Sequence, residues 1–279
     1  MNAMNIQRST SNAQCPSKAG SSVARTGKIA RSKVKVGSPT LGVGCSILDV
    51  GRSGWIAGLL QMVDTFYPTG AYAHSFGLEG LAQEGVVRDR ATLRTFLIEQ
   101  VLPQLARTDL PVAAQAWAAA GTSPDWPRLR ELCFLGSAMR GAREPREASE
   151  AIGRQRLELA ALLHGGLAAE LNQRSLAENW PHPSCVAAAV EGRTLGAPCE
   201  AVLAAIIYST TAGLIAASMK LLRLGQNACQ TLLAEALTQA PALMAEALAV
   251  KPDQIGAFNP WWDVAAARHE AANFRLFIS

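Results

Sequence analysis

Residues 201–222 read AVLAAIIYSTTAGLIAASMKLL, and the first nineteen of them carry no charge. A helix that is apolar on every side has to be surrounded, either by the rest of its own domain or by lipid. Nineteen residues at about 1.5 Å each nearly match the hydrocarbon core of a bilayer, so length allows both. Composition decides between them. Ser209, Thr210, Thr211, Gly213 and Ser218 dilute the hydrophobicity, and much of the remainder is alanine. Neither an aromatic belt nor a strongly basic flank marks an orientation. The stretch is therefore expected to be the buried central helix of a globular domain, with no membrane span.

The flanking sequence supplies the helices that would surround it. From Trp55, the residues Ile56, Leu59, Leu60 and Val63 fall on one helical face, and Pro68-Thr69-Gly70 makes a turn before a short helix through Leu78 and Leu81. Asp89 is a cap for the next helix, with Leu93, Phe96, Leu97 and Val101 at three-and-four spacing. Asp109-Leu110-Pro111 starts another, and Leu129, Leu132, Cys133 and Gly136 mark a further face. Residues 144–171 read as one long amphipathic helix. After the central helix comes one from Asn227, broken near Pro241, and a last one that Asp263 would cap. No stretch alternates β-branched with polar residues. The reading is an all-α fold, a single bundle of about eight to ten helices over residues 51–279.

Residues 1–50 are different in kind. The first 48 hold seven basic side chains and no acidic one, so a chain of net charge +4 keeps a net −3 for its body. Rich in Ser, Gly, Lys and Thr, this tail cannot bury enough apolar surface to order itself and is expected to be disordered. A phosphate-binding loop fails there, because Gly20 lies two positions too far from Gly27-Lys28 and Ile29 replaces the required Ser or Thr. Six scattered cysteines without a CxxC pair, and no apolar signal region in the first thirty residues, point to reduced thiols in the cytoplasm.

Chemistry-bearing clusters are few. Ala73-His74-Ser75-Phe76-Gly77 comes within one residue of a nucleophile elbow, but that motif needs a strand leading into it and a parallel sheet beneath. His182 and Cys185 form the only close His/Cys pair among four histidines, too few ligands for a metal centre. No cofactor, metal site or catalytic residue is expected, and the protein reads as no enzyme. The chain closes on Leu276-Phe277-Ile278, three large apolar groups that have to dock on something, either the body itself or a partner.

The body resembles the UreF family of urease accessory proteins. The resemblance rests on LLQMVDTFYPTGAYAHSFGLEG (59–80), Asp109-Leu110-Pro111, REPREASEAIGRQRL (143–157), Leu224-Gly225-Gln226, and a close reading RHE followed by RLF-x-S. Each motif alone is weak, but five in order on an all-helical chain are specific. Residues 1–50 match nothing in the family. Arg223 stands where the family commonly has proline, which lets the central helix run on. His74 and Phe76 replace the more usual Tyr and Gln or His.

The resemblance implies a non-catalytic role in urease maturation. Such proteins form homodimers, bind UreD (also called UreH), recruit the GTPase UreG and govern its hydrolysis of GTP, and so help nickel into apo-urease. It places a partner-docking segment at 260–279, with Arg268, His269, Glu270, Arg275, Leu276 and Phe277 facing UreD. Tyr72, His74, Ser75 and Glu79 are the second set, for the partner or the GTPase. Arg146 and Glu147 read as a solvated pair or as dimer contacts. The alternative is a scaffold that binds nucleic acid through the basic tail, for which salt-sensitive binding would be the sign.

Overall fold

A computed structural model describes residues 53–279 except 258 and 273, so the tail expected at 1–50 lies outside the described residues. Capping accounts for several helix starts. Asp89 accepts from the Thr92 amide at 2.8 Å and Thr92 reciprocates, opening α3 (Arg90–Phe96) after α1 (Trp55–Val63), a 3₁₀ turn at Ala71–Ala73, and α2 (Leu78–Gln83). A π turn at Leu97–Val101 carries α3 directly into α4 (Leu102–Arg107). Then come α5 (Asp109–Ala119), α6 (Trp126–Ala138), α7 (Arg143–His164), α8 (Gly166–Ala177), α9 (Ser184–Thr194) and α10 (Cys199–Leu221). The last three are α11 (Gln226–Leu237), α12 (Ala240–Ala249) and α13 (Pro260–His269). The described residues are all-α, with no strand, and ten of these helices have nine residues or more.

Four local expectations are corrected. The pattern at 144–171 is two helices: Gly165, at φ 64°, ends α7, and α8 folds back against it. The last helix is capped by Asn259, whose side chain accepts from the Trp262 amide at 3.4 Å, and Asp263 falls inside its first turn. The central helix stops at Leu221 and does not run on past Arg223, because Leu222 and Leu224 turn back to pack on the core. Nor is α10 buried all round: Tyr208, Gly213, Ala216 and Met219 are exposed on one side. Gly213 and Ala216 carry little apolar surface, whereas Tyr208 and Met219 leave apolar atoms in water.

The interior of α10 explains the architecture. Its first half, through Val202, Leu203, Ile206 and Ile207, belongs to one hydrophobic cluster with α4, α5, α6 and α9. Its second half, through Leu214, Ile215 and Ala217, belongs to another with α2, α3, α11 and Phe277. Between the halves, at Ser209, Thr210 and Gly213, the helix borders a cavity of about 210 Å³.

One buried polar group ties the segment after α1 to α7 and α9. The Tyr67 hydroxyl donates to Glu191, which is fully buried, and Arg156 meets the other carboxylate oxygen at 2.6 Å. Burial, with Glu191 beside it, pushes the Tyr67 phenol well above its ordinary range. A phenol held protonated in the fold stabilises it fully below the unfolded value of about 10 and progressively less as pH rises beyond that. Wild type should therefore lose stability relative to Tyr67→Phe above pH of about 10, and below it their difference should be flat. Chemical denaturation at a series of pH values checks this.

Candidate functional site

The close of the chain is strapped onto its own body. Glu79, buried in the first turn of α2, accepts from the Leu276 amide at 2.8 Å and the Phe277 amide at 3.1 Å. Ser75 takes the Ser279 main-chain oxygen twice, from its amide at 2.6 Å and its hydroxyl at 2.8 Å. The Ile278 amide donates to the Ala73 carbonyl at 2.9 Å, and the His74 ring meets the Ser279 hydroxyl at 2.9 Å. This short irregular segment thus has backbone groups of Leu276, Phe277, Ile278 and Ser279 satisfied by the body.

Charges alternate beneath it. His269, fully buried, faces Glu79 from Nε2 at 2.9 Å and Glu144 from Nδ1 at 2.8 Å. Arg275 meets the second oxygen of Glu144 at 2.5 Å. Glu79, His269, Glu144 and Arg275 thus form one continuous row of polar contacts beneath the strap. At the rim, Arg143 pairs with Glu270 at 2.5 Å and Arg268 with Glu84 at 2.8 Å.

The two sets of sequence-picked residues therefore form one cluster. Their side chains divide by direction. Ser75, Glu79, His269 and Phe277 are buried inside the chain's own fold, with Phe277 in the second hydrophobic cluster under Lys220, so they do not face outward. Their residue types are those that hydrogen-bond a passing backbone or fill a pocket. Exposed are Tyr72, Arg268, Glu270, Arg275 and Leu276, together with Phe274 and Ile278 of the same segment. His74 is half-buried at the edge, where burial lowers its affinity for a proton. Arg146 and Glu147 do not pair with each other: Arg146 donates to the Arg140 carbonyl at 3.1 Å, and Glu147 sits 3.5 Å from Arg143.

Sequence reasoning missed Glu144, although it lies inside the REPREASEAIGRQRL segment. A single glutamate in a row of charges carries no mark that it will turn inward. It also missed the pair of Asp109 with Arg140 at 2.6 Å, which lines the cavity beside Cys185. Burial, with Asp109 next to it, pushes the Cys185 thiol well above its ordinary range. His182 is engaged by the Ser175 hydroxyl at 2.9 Å, while Cys185 lines the cavity. Among the described residues no group of three or more His, Cys, Asp or Glu is placed to hold a metal ion. Ser75 follows a 3₁₀ turn and is fully buried, which leaves it without the exposure a nucleophile needs.

Comparison with known proteins gives a consistent result. The UreF family model matches residues 87–237. The urease accessory protein UreF of Arthrobacter sp. (strain FB24) is 32% identical over 222 residues, covering 79% of this chain and 96% of the relative. That of Pseudomonas fluorescens (strain SBW25) is 32% identical over 222 residues, covering 79% and 97%. A bifunctional urease accessory protein UreEF of Bordetella bronchiseptica is 30% identical over 235 residues, covering 81% of this chain and 52% of the relative.

Proposed function

This chain belongs to the UreF family of urease accessory proteins, and from that premise we propose that it is a non-catalytic scaffold of urease maturation whose strap is its docking face. The outer side of residues 274–279, with Tyr72, receives the UreD/UreH-type partner, and the assembly recruits the UreG-type GTPase to load nickel into apo-urease in the cytoplasm. One observation carries this reading. Phe274, Leu276 and Ile278 stand exposed in a row on a segment whose backbone is fixed by buried groups, so apolar surface is offered in an already ordered form. Preordering lowers the entropy lost on docking, and apolar side chains left in water mark interaction surfaces. Ser75, Glu79, His269 and Phe277 contribute by holding the strap, and Arg268, Glu270 and Arg275 frame it. For the homodimer, the available surface is the open side of α10 with α1, where Leu60 and Tyr208 stand exposed. The relative that joins UreE and UreF in one chain supports a place for a UreE-type protein near the same assembly.

The test is co-expression with UreD/UreH-type and UreG-type partners, followed by size-exclusion chromatography with light scattering. Wild type should form the complex. Phe274→Ala with Leu276→Ala leaves every hydrogen bond of the strap in place and should weaken UreD/UreH binding by about tenfold to a hundredfold. Its melting temperature should stay within about 2 °C of wild type. Undiminished binding by the double variant would remove the strap from the interface, and a wild-type chain that binds neither partner would remove the scaffold role itself.

A further inference from the structure

One residue that holds the strap also lines the cavity, and so do several chain neighbours of the others. His74, which holds the Ser279 hydroxyl, lines the cavity, as do Trp262 and Ala266 of α13. So does Phe76, whose carbonyl accepts from the Trp262 ring nitrogen at 2.5 Å and whose φ of 50° is unusual for a side chain of that size. On the other wall stand Ala142 and Pro145, which flank the strap-binding Glu144 at the start of α7. The lining reaches the surface at Ala71, Gly141 and Gly213 and is buried at Ile152, Cys185 and Ala188. Its mouth is thus rimmed by the 3₁₀ turn on one side and the approach to α7 on the other. Both rims are tied by the same six residues: the turn through Ala73, His74 and Ser75, and α7 through Glu144. Inside, the Gln104 side-chain oxygen is buried with no protein partner, so an occupant that donates a hydrogen bond has a place to bind.

We propose that residues 274–279 act as the strap that sets the opening of this cavity: released from Ser75, Glu79 and Glu144, they let the two rims part and admit small polar solutes to the inner wall. Segments held by few buried contacts open on their own, ahead of the rest of the fold. The inference deepens the docking role proposed above, since a partner would grip the outer side of the same strap, but its test needs no partner.

Cys185 reports on the inner wall. Methyl methanethiosulfonate transfers its methylthio group to a thiolate, releasing methanesulfinate, and peptide mass spectrometry locates the label. Cys133 is equally buried, each being 2% exposed, but lies outside the lining, so it registers general loosening. Glu79→Gln should raise the labelling rate of Cys185 in the full-length chain by about tenfold or more and leave Cys133 unchanged. Because that variant removes a buried charge, Arg275→Ala with His74→Ala provides a milder release and should move Cys185 in the same direction. A Cys185 rate equal to wild type in the folded double variant would overturn the proposal. So would parallel increases at Cys185 and Cys133, or a wild-type Cys185 that labels as fast as an exposed thiol.

Discussion

Glu79→Ala should destabilise the protein by about 3–5 kcal/mol, the cost of removing a buried carboxylate on which several buried donors rest. The carboxylate is 1% exposed and serves four groups at once: the Leu276 amide, the Phe277 amide, the His269 ring and, at 3.4 Å, the Gln83 side-chain amide. Its loss leaves two backbone donors and one ring nitrogen of His269 without their partner. Each orphaned buried donor adds about 1–3 kcal/mol unless the strap peels away and hands it to water. Peeling is the cheaper outcome, so the amides of Leu276 and Phe277 should lose hydrogen-exchange protection first, and Phe277 should leave the cluster it fills. Urea denaturation measures the global loss through the midpoint at unchanged slope. A loss below about 1 kcal/mol with both amides still protected would mean that Glu79 is not what holds the strap.

Gly153→Ala is the second large effect, and its cause is contact between backbones. Gly153 lies in the middle of α7, where the chain entering α9 crosses it so closely that an added Cβ would sit 1.9 Å from the His182 carbonyl oxygen and 2.8 Å from its carbon. A carbonyl cannot rotate aside as a side chain can, so α7 and α9 have to separate. Overpacking of this kind costs typically 1–3 kcal/mol and more where nothing yields, and we expect about 3 kcal/mol or above. In a body of this size that lowers the melting temperature by roughly 6–12 °C. Gly213→Ala is the control, because a Cβ there meets nothing within 4 Å on an exposed helical turn. It should be neutral or stabilising by up to about 1 kcal/mol, as alanine favours helix over glycine. Equal melting temperatures for the two variants would show that the α7 to α9 crossing is looser than described.

Much of the helical order could be read from residues in a row. The three-and-four spacing of Leu93, Phe96, Leu97 and Val101 placed them inside, as it placed Leu129, Leu132 and Cys133. Asp89 capped the helix its position announced. Amphipathic periodicity does not reveal where one regular pattern folds back on itself, and the break rests on two adjacent glycines of positive φ, Gly165 and Gly166. The candidate site divides in the same way. Tyr72, Glu79, His269, Arg275 and Phe277 were legible through the motifs that carry the family resemblance, but their directions were not. Glu144 was invisible among the charges around it.

Composition and local pattern alone determined an all-helical body organised on 201–222 and the uneven placing of charge along the chain. Those follow from side-chain chemistry and short-range spacing, which a linear string records completely. The tertiary structure decided that the close of the chain straps onto its own body, which half of that cluster faces solvent, and that α10 joins two cores with a cavity between them. Glu79 and Leu276 are 197 residues apart in the chain and 2.8 Å apart in space. Free energy gained between such distant groups depends on how every intervening helix packs, and no local property of either residue encodes it.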